Sequence, residues 1–307
     1  MPIHLDSVSR RRFIGGAAIF SLSPTISSLR GADSESQTWA LLSDTHIAAD
    51  PKLEARSINM ADQLRRVVAE VSKEKESLAG VIVDGDCAFN DGQTGDYAQF
   101  TELLTPLSEA GLPIHFTLGN HDDRGNFFGS LSIPKGNSPV QSKHCSVIET
   151  PLADWILLDT LRYVNKVEGE IGEEQLRWLS TRLTENPEKP AIIVGHHYPQ
   201  MIRTDVIPSE EKIKIAGLID SAPFLELLAD HDAAKAYIYG HSHNWQVTQE
   251  ENQIHQINLP PTSYVFKKER PAGWVRATLS STGLELELRS LDQTHSQQGE
   301  KHLLAWR

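Results

Sequence analysis

The chain has 307 residues, 39% of them hydrophobic and 7% aromatic, with 29 Lys plus Arg against 41 Asp plus Glu and a net charge of −12. That length holds one large α/β domain or two small ones, and the composition is too polar for a membrane bundle. The acidic balance argues against a nucleic-acid tract as partner, because a phosphate backbone rewards a basic footprint; a small anionic ligand stays open, since bound metal ions reverse the local field.

At the start of the chain, Ser9-Arg10-Arg11-Arg12-Phe13-Ile14 reads as a twin-arginine export signal, followed by an apolar run from Phe13 to Leu22. The run is too short to span a bilayer, which needs roughly 20 apolar residues, so no stable membrane insertion is expected. Pro24, Ser27, Ser28 and Gly31 supply a turn-prone region suited to processing, although no clean cleavage site precedes Gln37. Residues 1–32 are therefore set aside from the fold. The expectation is a partnership with the twin-arginine export machinery and a periplasmic or extracellular destination.

From residue 38 onward, short apolar runs alternate with helical patterns. Thr38–Ser43, Gly80–Asp84, Pro113–Leu118, Trp155–Leu158, Ala191–Val194 and Ala236–Tyr239 have the length and the β-branched or aromatic content of strands. Met60, Leu64, Val67, Val68 and Val71 repeat at helical spacing. Leu176, Leu179 and Leu183 do the same behind Glu173 and Glu174, whose charge suits a helix N-terminus. Asp220–Asp230 reads as a third helix with Pro223 in its first turn. Such alternation predicts a layered α/β fold with functional residues at strand C-termini. Asn244–Gln249, Gln253–Asn258, Gly273–Ser280 and Leu284–Ser290 then read as consecutive strands forming an antiparallel portion of a sheet. The domain is expected to span 38–292, with 293–307 as a C-terminal tail.

Two cysteines occur, Cys87 and Cys145, in neither a CxxC pair nor a zinc-finger spacing. That argues against thiolate metal binding and for buried small side chains; whether the two pair stays open.

Five strand ends finish in residue types that bind metals. In order they are Asp44-x-His46, Gly85-Asp86, Gly119-Asn120-His121-Asp122, Gly195-His196-His197 and Gly240-His241-x-His243. Each follows an apolar strand at once, so all are presented at one sheet edge, and glycine at four of the five permits sharp turns there. Polar groups repeated at strand ends serve no packing purpose, which leaves function as their explanation.

This set resembles the calcineurin-like metallophosphoesterase superfamily, whose pattern is D-x-H, G-D, G-N-H-D/E, G-H and G-H-x-H. The match runs from about Ser43 to His243. The resemblance implies a four-layer α/β/β/α sandwich of two mixed sheets, with a dinuclear metal site at the strand C-terminal edge. Carried over residue by residue, Asp44, His46 and His243 would hold one metal; Asn120, His196 and His241 would hold the other, and Asp86 would bridge them. The ions would be divalent or mixed-valence transition metals (iron, manganese, zinc, cobalt or nickel), as mixed nitrogen and oxygen ligation suggests. A hydroxide shared between the ions would attack a small phosphate ester directly. His121 would protonate or stabilise the leaving oxygen. Asp122 would either orient His121 or cap the next helix. His196 is preferred to His197 as the ligand by analogy with H-x-P and H-H-P segments, although His196-His197-Tyr198-Pro199 is one residue longer to the proline.

Two details bear on the branch. Purple acid phosphatases carry G-D-x-x-Y with a metal-binding tyrosine, where this chain has Phe89, which cannot coordinate. Gly119-Asn120-His121-Asp122-Asp123-Arg124 resembles the G-N-H-D-D-R/K of bacterial cyclic-nucleotide and glycerophosphodiester phosphodiesterases. Arg124 would then lie near the substrate, or else form a surface salt bridge. Gln200–Ala216, with Arg203, Lys212 and Lys214, reads as a lid, an oligomer contact or a solvated loop; a homo-oligomer stays open. The expected function is an exported phosphodiesterase. A phosphomonoesterase of the same fold is the alternative, and a metal-binding protein without turnover is disfavoured because His121 adds nothing to metal affinity.

Overall fold

The computed structural model describes residues 36–131, 138–201, 214–249 and 254–306. The export-signal segment 1–32 and the loop side chains Arg203 and Lys212 lie outside these residues. In chain order the first half holds β1 (Gln37–Ser43), a small hairpin of β2 (Glu54–Ala55) and β3 (Ile58–Asn59), α1 (Met60–Lys73), β4 (Leu78–Asp84), α2 (Thr94–Glu109), β5 (Ile114–Thr117) and α3 (Arg124–Ser130). The second half holds β6 (Ser146–Glu149), β7 (Asp154–Leu157), α4 (Glu173–Glu185), β8 (Ala191–Val194), α5 (Ser221–Ala229), β9 (Ala234–Tyr239), β10 (Gln246–Thr248), β11 (His255–Asn258), β12 (Gly273–Ser280), β13 (Gly283–Ser290) and β14 (Lys301–Ala305).

Two six-stranded mixed sheets result, ordered β14-β13-β12-β1-β4-β5 and β10-β11-β9-β8-β7-β6. Strand periodicity of two explains the layering. On β1, Trp39 and Leu41 face the second sheet, while Ala40 and Leu42 face the helices. On β8, Ile192 and Val194 face the first sheet, while Ala191 and Ile193 face the other helical layer. Both strands are therefore apolar on both faces, as buried parallel strands must be. Trp39 and Trp155 meet between the sheets with ring centroids 5.6 Å apart. Helices α1, α2 and α3 cover the first sheet through Leu64, Val68, Phe100, Leu104 and Phe127. Helices α4 and α5 cover the second through Leu179, Leu183, Phe224 and Leu228. The four-layer α/β/β/α sandwich expected from the sequence is the observed fold.

Three expectations need correction. The four C-terminal strands do not form one antiparallel block: β11 runs parallel to β9 in the second sheet, whereas β12 pairs antiparallel with β1 in the first. The boundary at 292 also falls short. Lys301–Ala305 pairs antiparallel with β13 and buries Leu304, so the fold reaches residue 305. Helix α2 was not anticipated, although Tyr97, Phe100, Leu104 and Leu107 carry the helical spacing; Gly95 and Pro106 near its ends dilute the signal.

The two sheets approach each other tightly at the C-terminal ends of β5 and β9, where glycines make the contact possible. A Cβ on Gly240, after β9, would lie 1.9 Å from Ser43 Oγ and 2.5 Å from Asp44 Oδ2 on the first sheet. A Cβ on Gly119, after β5, would lie 2.7 Å from the His196 ring of the second sheet. The Ser43 hydroxyl cannot retreat freely, because it donates to Asp44 Oδ2 and to the Asp84 carbonyl. Gly240→Ala should therefore push Asp44 out of place. We expect a stability loss of about 1–3 kcal/mol in thermal unfolding, with a matching loss of bound metal by elemental analysis. Unchanged metal content would mean that the junction has slack.

Candidate metal centre

Parallel strands β1, β4, β5, β8 and β9 all deliver their C-terminal ends to this junction. Backbone hydrogen bonds tie four of the loops in pairs, Asp44 N to Gly85 O, His46 N to Asp86 O, and Gly240 N to His196 O, and His121 N donates to Asp86 Oδ1 from the fifth. The turns that follow are strained. Asp44, His46, Asp86, His241 and His243 have φ of 51°, 48°, 47°, 64° and 48°. Such left-handed conformations cost non-glycine residues roughly 1–3 kcal/mol each and persist where surrounding structure over-determines them. Strain concentrated on five candidate ligands points to a site.

The side chains converge as the strand-end reading expects. Asp44, His46 and His243 form one group whose candidate ligand atoms lie within 4.8 Å of one another, and Asp86, His196 and His241 form another. Asp86 also groups with His46 and His121 and so stands between the two halves. Its Oδ2 is 3.7 Å from His46 Nε2 and 3.2 Å from His196 Nε2. Asp44 Oδ1 is 3.3 Å from His243 Nε2.

A backbone carbonyl fixes the tautomer of each imidazole. Nδ1 of His46, His196 and His243 faces the carbonyl of Phe89, Asp84 and Tyr264, respectively. His241 is reversed: its Nε2 faces the Ala216 carbonyl. A carbonyl only accepts, so in the neutral ring the other nitrogen of each turns a lone pair to the centre. His46 Nε2 and His243 Nε2 thus confront each other at 3.1 Å, beside the Asp44 carboxylate. Acceptors crowded together without donors need a cation or a proton between them. The buried Oδ1 of Asn120 and Nε2 of His196 have no hydrogen-bond partner either. Nitrogen and oxygen donors of this kind fit transition-metal ions.

The electrostatics agree. Burial holds His46 down at about 3 and His241 at about 4, so both are neutral and able to ligate. Burial opposes charge on His196 as well, but Asp86 and Asp44 outweigh it and hold its proton well above the usual imidazole range. That proton occupies the electrostatic role of a cation. Burial raises Asp84 to about 7 even though its Oδ1 accepts from Thr117 at 2.6 Å.

The neighbouring residues divide differently from expectation. Of the paired histidines, His196 faces Asp86, whereas His197 turns its Nδ1 to Thr160 Oγ1 at 2.7 Å and packs behind His241 with ring centroids 4.6 Å apart. His121 lies beside the cluster on the wall of the cleft, with Nδ1 on the Asn90 carbonyl and Nε2 left available. Asp122 does not orient it. The Asp122 carboxylate is buried and accepts from the N–H groups of Cys87, Ala88 and Gly119 and from Tyr97 Oη. It clamps the β4 and β5 loops together, and the cap of α3 is Asp123. Arg124 makes a two-point ion pair with buried Asp159 at 2.6 and 2.8 Å, which resolves its two readings toward the salt bridge. Phe89 packs its ring against the helix-side core and offers the site only its carbonyl. Both cysteines are free thiols and buried.

An open cleft of about 460 Å³ leads to the cluster. Beyond His46, Asp86, Asn120, His121, His241 and His243, its walls include Asn165, Tyr198, Tyr264, Phe266 and Arg270, none of which the sequence reading singled out. No helix among the described residues is long and apolar enough to cross a membrane.

Comparison with known proteins agrees with this geometry. Residues 38–245 match the calcineurin-like phosphoesterase family. A 3′,5′-cyclic adenosine monophosphate phosphodiesterase of Haemophilus influenzae is 26% identical over 262 residues, covering 82% of this chain and 89% of that protein. A glycerophosphodiester phosphodiesterase of Enterobacter lignolyticus is 24% identical over 241 residues, covering 76% and 81%. Among solved structures, a dimetal phosphatase from Danio rerio superposes with a TM-score of 0.67 at 15% identity, over 88% of this chain and 99% of that one. Sequence, sheet-edge geometry and the breadth of the match together show that the chain belongs to the calcineurin-like phosphoesterase family, dinuclear-metal-dependent hydrolases of phosphoric ester bonds.

Proposed function

We propose that this protein is an exported phosphodiesterase for a small phosphate ester. The observation that carries the chemistry is the pair of adjacent ligand groups, Asp44-His46-His243 and Asp86-His196-His241, with Asp86 also within reach of His46. In this reading Asp44, His46 and His243 would hold one metal, Asn120, His196 and His241 would hold the second, and Asp86 would serve both. Two ions so held would supply the nucleophile for direct attack on phosphorus and would offset charge on the phosphoryl oxygens. The chain's own groups do the rest. Ser43 Oγ and His241 N fix the Asp44 carboxylate, and His121 N fixes Asp86 Oδ1. His121 acts as an imidazolium: it gives its Nε2 proton to the leaving oxygen and is left neutral, with the Nδ1 hydrogen that Asn90 accepts.

Diester preference rests on charge. A diester carries one negative charge at neutral pH, and a site rich in buried carboxylates accepts it more readily than a dianion. Arg124, the cation within the Gly119–Arg124 motif, is committed to Asp159 rather than to the reacting phosphoryl group. The names of the bacterial relatives point the same way. On fully metallated protein, kcat/KM for bis-nitrophenyl phosphate should exceed that for nitrophenyl phosphate by roughly tenfold. The reverse ratio would make the protein a phosphomonoesterase.

His121→Ala should keep two metals per chain yet lose about 10²–10⁴ in rate on esters with an alkoxide leaving group. The loss should stay far smaller for a nitrophenolate, which departs without a proton. Equal losses on both would remove His121 from the acid role, and loss of metal would make it a ligand.

The export part of the proposal rests on Ser9-Arg10-Arg11-Arg12-Phe13 and the apolar run after it. Changing Arg10 and Arg11 to Lys keeps the charge but not the signal. Cell fractionation should then find the enzyme, metal-loaded, in the cytoplasm. Continued export of that variant would assign the segment to another route.

A further inference from the structure

One side of the cleft has an arginine in its lining and a second stacked on its aromatic lining residues, and among the described residues no carboxylate pairs with either. Arg270 lines the cleft and donates from Nη1 to the carbonyls of Ser242 and His243, at 2.8 and 3.3 Å. Arg56 lies over the rings of Phe266 and Tyr264, with its guanidinium carbon 4.9 and 5.8 Å from their centroids. Neither has a carboxylate within 4.0 Å among the described residues. In a chain of net charge −12, two uncompensated guanidinium groups beside one site are a local reversal of the field.

The backbone supports Arg56 at a cost. Arg56 and Ser57 are the two turn residues between β2 and β3, with φ of 53° and 64°. Two-residue hairpins with positive φ at both positions favour Asn-Gly, which has far less steric conflict there. The hairpin is nonetheless well anchored. Leu53 and Ala55 pack on the helix-side core, and Asn59 donates to the Pro51 carbonyl while its side chain caps α1. A strained turn that is held rigid and lifts a cation over the cleft wall is better explained by binding than by stability.

Phe266 narrows the chemistry. The ring is 47% exposed but stacks on His243, with centroids 4.2 Å apart, and carries Arg56 as well. Its aromatic surface is thus engaged by protein groups, and the guanidinium N–H edges are what the wall offers a ligand. Planar guanidinium forks match carboxylate and phosphate oxygens.

We propose that Arg56 and Arg270 form a specificity wall selecting phosphodiesters whose second, unreacting arm ends in a further anionic group, a carboxylate or a phosphate. This rests on the phosphodiesterase reading above. The test compares three nitrophenyl phosphodiesters, with propyl, 2-carboxyethyl and 2-phosphoethyl as the second arm. The wild-type enzyme should prefer at least one anionic arm over propyl by about tenfold in kcat/KM, carried mostly by KM, the size of one charge-assisted hydrogen bond. That preference should collapse in Arg56→Gln, weaken in Arg270→Lys, shrink with added salt, and survive in Arg177→Gln, a control on the exposed face of α4. Equal or better turnover of the propyl ester, or a preference unchanged in Arg56→Gln, overturns the specificity wall and leaves the phosphodiesterase reading standing. No turnover of any of the three by metallated protein overturns the phosphodiesterase reading itself.

Discussion

Gly85, Gly119 and Gly240 allow two sheets to touch at the one edge where every chemically useful side chain emerges. A Cβ at any of the three would fall within 2.7 Å of a candidate ligand or its support, such as His196, Asp86 or Asp44. The contact brings ligands from β1, β4 and β5 on one sheet within coordination range of ligands from β8 and β9 on the other. Neither sheet alone carries a complete set: Asp44, His46, Asp86 and Asn120 belong to the first, and His196, His241 and His243 to the second. The sandwich is therefore a condition of the chemistry as well as its scaffold.

Bringing buried acceptors together is unfavourable in the absence of a cation, and so is holding five of them in left-handed backbone. The molecule absorbs these costs through rigid surroundings. Each of the three core clusters is apolar and closely filled, from Trp39 and Trp155 between the sheets to Phe100 and Phe127 beneath the helices. Asp122 adds a polar brace, gathering three backbone N–H groups from the β4 and β5 loops and the Tyr97 hydroxyl from α2. Burial, with Asp86 nearby, raises its carboxyl to about 6, so the brace is itself close to its limit.

How much of this the sequence discloses depends on whether the signal is local. Strands β1, β4, β8 and β9 announce themselves through short apolar runs, and the first or second residue after each run carries the chemistry. Asp44, Asp86, His196 and His241 were legible for that reason. The role of Asp122 was not, because a carboxylate that accepts from backbone N–H groups looks the same in a sequence as one that orients a histidine. Nor were the carbonyls of Phe89, Tyr264, Asp84 and Ala216, since any residue type supplies a carbonyl and only the fold decides which one faces an imidazole. The division of the last strands between two sheets was hidden likewise: β11 returns to nearby β9, whereas β12 pairs with β1 at the other end of the domain, and no local signal separates the two cases. Arg270 escaped notice because it has no motif around it, and its importance comes from lining the cleft opposite residues more than a hundred positions earlier.

The cleft is chemically one-sided. Its floor is a cluster of carboxylates and imidazoles that calls for cations, and among the described residues Arg270 is the one Lys or Arg that lines it. The wall at Tyr264, Phe266 and Arg270 carries positive charge from Arg270 and, above it, Arg56. An anionic ester entering such a cleft meets attraction from two directions, the loaded floor and that single wall. Two fixed points define an axis, and a ligand held at both cannot rotate freely about the scissile phosphorus. Orientation of this kind raises the fraction of bound encounters in which the leaving oxygen faces His121. The rigid anchoring of the β2–β3 hairpin then has a physical purpose, because a cation on a mobile loop would attract the ester without orienting it.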